Sequence, residues 1–183
     1  MIDTGLYEAK TLYPFQKNTV EQILTEFREQ KAPFNLLYQL PTGGGKTVIF
    51  SAIAKQFLEE WNQKVLILTH RIELSIQTSR QLQAIGVKNR IISSEVKTIG
   101  DQGEFGCYIA MVETLNNRLQ ENQKFIENVG LVIVDEAHYN SFRKIFQYYS
   151  KTNILGVTAT PLSSNKALPL KDHYHKLITG ESI

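Results

Sequence analysis

Leu36-Leu37-Tyr38-Gln39-Leu40 runs into Pro41-Thr42-Gly43-Gly44-Gly45-Lys46-Thr47 and then into Val48-Ile49-Phe50. The first five residues have the length of a strand, and Lys46 to Glu60 have the length and composition of a helix. Only a glycine loop separates them. Glycines let a backbone wrap closely around a phosphate, and the free amides of the loop and of the helix N-terminus supply donors and partial positive charge to it. Lys46 would then reach the β- and γ-phosphates of a nucleotide, and the Thr47 hydroxyl would ligate Mg²⁺. The strict G-x-x-x-x-G-K-[ST] pattern wants glycine where this chain has Leu40, but Gly43 and Gly45 still allow the close approach. The bland alternative is a glycine turn capping a helix, with Lys46 merely exposed.

Outward from this loop the chain alternates between two kinds of segment. Val65 to Leu68, Cys107 to Val112, Leu131 to Val134 and Ile154 to Val157 are short, continuous apolar runs like Leu36 to Leu40. Their lack of polar alternation predicts strands covered on both faces, as in a parallel sheet between helices. Arg71 to Ile85, Glu113 to Gln120 and Ser141 to Tyr149 are the intervening helices, the last with Phe142, Ile145, Phe146 and Tyr149 at helical spacing. Between Tyr7 and Lys31, Val20, Ile23, Leu24 and Phe27 share one face of a further helix, with Pro14 near its start. The fold class is therefore α/β, a mostly parallel sheet with helices on both faces and its ligand site at the carboxyl ends of the strands. Residues 97–106 and 161–169 are expected to be weakly ordered.

The run Leu131 to Val134 ends in Asp135-Glu136-Ala137-His138, which brings two carboxylates to the sheet edge that carries the glycine loop. Alone, Asp-Glu after a strand is as good a helix cap. Opposite a phosphate cradle, Asp135 becomes a partner of nucleotide-bound Mg²⁺, and Glu136 can polarise the water that attacks the γ-phosphate. No spacing makes His138 a metal ligand, and His173 with His175 fits surface residues better than a metal pair.

Composition sets the limits. The 183 residues are 42% hydrophobic and 21% charged, enough for one sizeable core over 1–183 without disulfides or metals. A formal net charge of +2 does not by itself call for a polyanionic partner. Cys107 stands alone, which excludes a disulfide framework and fits a buried apolar thiol in a reducing, cytoplasmic compartment. No span approaches the roughly 18 apolar residues of a membrane helix. Met1 to Lys10, with Asp3, Glu8 and Lys10, does not resemble a secretory signal.

Pro41 to Thr47, Asp135 to His138 and Thr158-Ala159-Thr160-Pro161, in that order, resemble motifs I, II and III of superfamily two helicases and translocases, whose motor is built on RecA-like P-loop NTPase domains. Leu12-Tyr13-Pro14-Phe15-Gln16 is similar to the upstream glutamine motif, with Tyr13 and Phe15 departing from its Arg-Pro-Tyr-Gln form. Ile67 to Leu74 is similar to motif Ia, and Met111 to Leu115 sits where the family has a further strand-contacting motif. The tail from Gly156 to Gly180 is similar to DNA-repair helicases of the RadD group and to restriction-enzyme translocases.

The resemblance implies that Gln16 contacts adenine, that Thr42, Gly43, Gly44, Gly45, Lys46 and Thr47 hold ATP, and that Thr47 and Asp135 hold Mg²⁺. Lys46, Asp135 and Glu136 would serve catalysis, while Thr69, Arg71 and Thr114 would touch the backbone of nucleic acid, DNA rather than RNA. His138, Thr158 and Thr160 would couple nucleotide state to strand movement. The resemblance also implies a second RecA-like lobe carrying an arginine finger, so an ATP-binding lobe alone is expected to hydrolyse ATP hardly at all. Arg71, Arg80, Lys88 and Arg90 are candidates for one basic track. Tyr7, Tyr13 and Phe15 are candidate stacking aromatics. The alternatives are a nucleotide-gated binding module without unwinding activity, and a P-loop ATPase that acts on a protein or metabolite.

Overall fold

Twelve elements follow in chain order: α1 (Pro14–Glu29), β1 (Asn35–Gln39), α2 (Lys46–Trp61), β2 (Lys64–Thr69), α3 (Ile72–Ala84), β3 (Asn89–Ile92), β4 (Cys107–Met111), α4 (Val112–Glu121), β5 (Val129–Val134), α5 (Tyr139–Tyr149), β6 (Asn153–Thr158) and β7 (Lys176–Thr179). They belong to a computed structural model that describes residues 10–40, 45–136, 139–159 and 174–179. All seven strands run parallel in one sheet, in the order β3-β4-β2-β5-β6-β1-β7.

The continuous apolar runs are explained by what lies on each side of them. Leu36 and Tyr38, Val65 and Ile67, and Leu131 and Ile133 join the core under α1, α2 and α3. Their neighbours Leu37, Leu66, Leu68, Val132 and Val134 point the other way, into the core under α4 and α5. Alternate side chains thus serve two cores, and neither face of a central strand meets water. Val20, Ile23, Leu24 and Phe27 are all buried on α1, with Pro14 in its first turn. Cys107 is buried at the start of β4, where burial pushes its thiol far above the usual range.

Two strands join those expected, and three expectations change. β3 and β7, the two edge strands, are interrupted by polar or exposed residues, Asn89 and Arg90 in one and Lys176, Leu177 and Thr179 in the other, and show no continuous apolar run. Val112 opens α4 instead of ending β4, and Phe146 is 42% exposed while Ile145 and Tyr149 of α5 are buried. Residues 97–106 form no regular element, yet the Gln102 side chain ties them down. Its Nε2 donates to the Phe125 carbonyl at 3.0 Å and its Oε1 accepts from the Glu127 N–H at 3.0 Å. Residues 161–169 lie outside the described residues.

The register fixes where chemistry can gather. Thr69 lies opposite Met111, Leu68 opposite Val134, and Gln39 opposite Thr158. Because the strands are parallel, the segments that follow β1, β2, β4, β5 and β6 all leave from one edge.

Candidate functional site

The turn from β1 into α2 ends at Gly45, the N-cap of α2, with φ +72°. That left-handed conformation suits glycine and disfavours any side chain. A second constraint comes from α1. A Cβ on Gly45 would stand 2.1 Å from Gln16 Nε2, so the glutamine amide lies directly against the backbone of the cradle. Gln16 is buried, and its Oε1 accepts from the Tyr13 N–H at 2.8 Å, satisfying a donor that the first turn of α1 would otherwise leave open. Tyr13 is 66% exposed and stacks on Phe15 with ring centroids 6.2 Å apart. Thr42, Gly43 and Gly44, as well as Tyr7, lie outside the described residues.

Lys46 and Asp135, 89 positions apart in the chain, meet at 3.2 Å between Nζ and Oδ1. β5 delivers Asp135 to the sheet edge, where its N–H donates to the Leu68 carbonyl at 2.9 Å. The carboxylate is only 1% exposed, and burial raises its pKa above the ordinary value despite the opposing pull of Lys46. Nearby Glu136 pushes in the same direction as burial. The Glu136 N–H donates to Asp135 Oδ1 at 2.9 Å, and Glu136 itself sits at φ +49°, a strained conformation for a residue with a side chain. Perturbed carboxylates and strained backbone cluster at functional sites. Thr47 follows Lys46 in the first turn of α2, and its carbonyl accepts from Ser51 Oγ at 2.8 Å. An ammonium, a hydroxyl and a buried carboxylate short of positive charge form a donor set that fits a triphosphate with its Mg²⁺. His138 and Thr160 lie outside the described residues.

The neighbouring part of the same edge is organised differently. Thr69 is buried, and its hydroxyl bonds the Ser75 hydroxyl at 2.7 Å and donates to the Arg71 carbonyl at 3.2 Å. Its side chain therefore shapes the turn into α3. Arg71, the N-cap of α3, is exposed, as are Ile72 and Ile76 one turn apart. Thr114 lies half-buried in the first turn of α4. Thr158 is buried at the end of β6, where its carbonyl accepts from the Leu40 N–H at 2.9 Å. The four candidate basic residues do not form one track along this edge. Lys88 precedes β3 and so lies at the opposite edge from Arg71, while Arg80 stands about 13 Å along α3 at 1.5 Å per residue.

Residues 9–163 match the family described as "Type III restriction enzyme, res subunit". The chain belongs to this family. Its motor fold is the RecA-like domain of superfamily two helicases and translocases. It is similar to a protein of Saccharomyces cerevisiae named "Putative ATP-dependent helicase IRC3", with 30% identity over 176 residues, covering 84% of this chain and 24% of that protein. It is also similar to the "ATP-dependent DNA helicase Hel308" of Pyrococcus abyssi, with 27% identity, covering 69% of this chain and 19% of that one. The chain thus spans about a quarter or less of these two relatives. In fold it resembles the UvsW helicase of bacteriophage T4, with TM-score 0.68 and 16% identity over 95% of this chain and 63% of that one. The SWI2/SNF2 ATPase core of Sulfolobus solfataricus, solved in complex with dsDNA, gives TM-score 0.70 and 15% identity over 93% and 37%.

Within this family frame, sequence reasoning missed Ser75 as the partner of Thr69 and the contact of Gln16 with Gly45. A glutamine at the third helical position after Pro14 is a visible capping signal. Nothing in the sequence links Ser75 to Thr69. Arg118 was also missed: buried on α4, it donates to the Ser94 carbonyl at 2.7 Å and to the Val96 carbonyl at 2.8 Å, fixing the segment after β3. Among the described residues no His, Cys, Asp and Glu group resembles a metal cluster, and no helix is long and apolar enough to cross a membrane.

Proposed function

We propose that this domain binds Mg²⁺ and ATP between the segment 41–47 and the pair Asp135–Glu136, and drives movement along nucleic acid, DNA rather than RNA, in a cytoplasmic setting. The observation that carries this reading is the 3.2 Å contact between Lys46 and Asp135, because it joins the phosphate-binding loop and the acidic motif into one site. In the reaction, Lys46 Nζ turns to the β- and γ-phosphates and offsets charge that builds there. Glu136, held at the rim by its own N–H bond to Asp135, orients the attacking water and accepts its proton. Thr47 and Asp135 would hold Mg²⁺, which supplies charge neutralisation across the phosphates when bound. The Gln16 amide, beside Gly45, faces the base.

Arg71 and Thr114 contact the strand backbone, with Thr69 and Ser75 positioning Arg71 from below. His138, Thr158 and Thr160 relay nucleotide state to the strand. A second RecA-like lobe supplies the arginine that completes the γ-phosphate site. Such an arginine is worth about 10³ to 10⁵ in rate, so this chain alone should hydrolyse ATP near background. The test pairs steady-state ATPase with equilibrium binding of a non-hydrolysable ATP analogue, with and without single-stranded and duplex DNA at low salt. Analogue binding that requires Mg²⁺, and DNA binding that weakens with salt, are expected. Analogue affinity indifferent to Lys46→Ala, or no binding of either nucleic acid at low salt, contradicts the proposal.

A further inference from the structure

α3 carries a side chain that none of the motifs uses. Gln81, in its third turn, is 2% exposed. Its Oε1 accepts from the Lys10 N–H at 3.1 Å, and its Nε2 donates to the Lys10 carbonyl at 3.1 Å. A primary amide that takes both the N–H and the carbonyl of one residue acts like an adjoining strand. It fixes the backbone in position and direction, whatever side chain that residue bears. The clamp joins residues 71 positions apart, as the Gln102 amide joins its own segment to Phe125 and Glu127.

What the clamp holds is the approach to the base side of the proposed nucleotide site. From Lys10 the chain passes through Leu12, packed against the main core, to Tyr13, whose N–H the Gln16 side chain caps, and then to Gln16, whose amide rests on Gly45. A cavity of about 230 Å³ lies under this segment, walled by Leu12, Val48, Ala52 and Ile85. Leu12 packs against the core beside that space, and the clamp holds the Lys10 backbone at its rim. Two buried amides, Gln81 and Gln16, therefore bracket the segment, one against α3 and one against the cradle.

We propose that Gln81 is a positioning residue for nucleotide-base recognition: by clamping Lys10 it sets the place of Tyr13 and Gln16 beside Gly45. This rests on the proposed role of Gln16 at the base. The same helix has Arg71 as its N-cap.

The test compares the full chain with Gln81→Met, which keeps length and volume without the amide, and with Gln81→Ala, which truncates it in the strongest helix-forming residue. Dissociation constants are measured for a Mg²⁺-bound ATP analogue and for Mg²⁺-bound inorganic tripolyphosphate, which has no base. ATP-analogue affinity should fall about tenfold, the loss expected from one or two hydrogen bonds of positioning, while tripolyphosphate affinity stays unchanged. Exchange of the Lys10 amide should quicken while amides of β2 and β5 stay protected. Equal losses for the two ligands, or no loss for either, overturn the proposal. Gln16→Ala separates this from the underlying assignment. If Gln16→Ala also leaves the ratio of the two affinities unchanged, the base contact itself is wrong. If it shifts the ratio and neither Gln81 variant does, only the clamp's role fails.

Discussion

The sheet has a lysine buried or half-buried at each end, and the two are held in opposite ways. Lys64, at the start of β2, is buried with its pKa lowered by burial, and its Nζ donates to the Glu127 carbonyl at 2.6 Å. At the same end of the sheet the Phe34 N–H donates to Asn153 Oδ1 at 2.9 Å, a further case of a polar group matched within the fold. At the other end Lys46 faces a buried carboxylate that burial has made reluctant to ionise, between Gly45 and Glu136, which both have positive φ. The first end is settled structure. The second stores strain and unbalanced charge, which a ligand carrying phosphate and a divalent cation would relieve.

The sharpest way to break this contrast is Lys46→Ala, which should weaken a Mg²⁺-bound ATP analogue by roughly 10- to 100-fold, as expected for loss of a charge-assisted contact. Calorimetric titration reads it, and the contrast fails if affinity is unchanged. Gly45→Ala should come next. Its φ of +72° alone costs a residue with a Cβ about 1–2 kcal/mol, and the added atom must turn the Gln16 amide away. Chemical denaturation should show the lost stability and titration a weaker analogue, whereas a neutral result would mean that the turn relaxes without strain.

Asp135→Asn tests the charge imbalance through pH. A raised carboxyl pKa means that the folded chain keeps its proton to higher pH than the unfolded chain does. The group therefore subtracts stability as pH rises from the ordinary 3.8 through its raised folded value, above which the full penalty is present. In the metal-free chain Asp135→Asn should be the more stable protein at pH 7, with the advantage shrinking toward pH 4, while Mg²⁺-dependent analogue binding drops. Urea unfolding at the two pH values checks it. A variant less stable at pH 7 would show that the Lys46 pair outweighs burial. Lys64→Met should have the smallest effect, leaving analogue affinity within about twofold, since a surface or backbone-bonded group far from the site adds independently. A large loss there would erase the distinction between the two ends.

The same contrast explains what the sequence could reveal. The five inner strands were legible because two cores force both faces of each strand to be apolar. β3 and β7 were not, because an edge strand is covered only in part and its residues, such as Asn89, Arg90 and Lys176, carry no such constraint. Lys46 and Asp135 were legible as two poles because each follows a strand in a recognisable order. Their contact needed the strand order that sets β6 alone between β1 and β5. Thr69 pointed to strand contact by its position in the chain, yet the hydroxyl turns inward to Ser75, a partner that only the fold brings near. Gln81 had no signal at all, because its partner is the backbone of Lys10, 71 positions away, and backbone carries no sequence signature.

In the proposed function Lys46 and Asp135 act as one nucleotide site. A double-mutant cycle tests it most directly, with Mg²⁺-bound ATP analogue affinity measured for the chain, Lys46→Ala, Asp135→Asn and the double variant. Groups in contact that share a ligand should show a coupling of about 0.5–3 kcal/mol, the double variant losing less than the sum of the single losses. Additive losses, with a coupling near zero, would mean that the two residues serve the nucleotide separately or not at all, and would contradict the account.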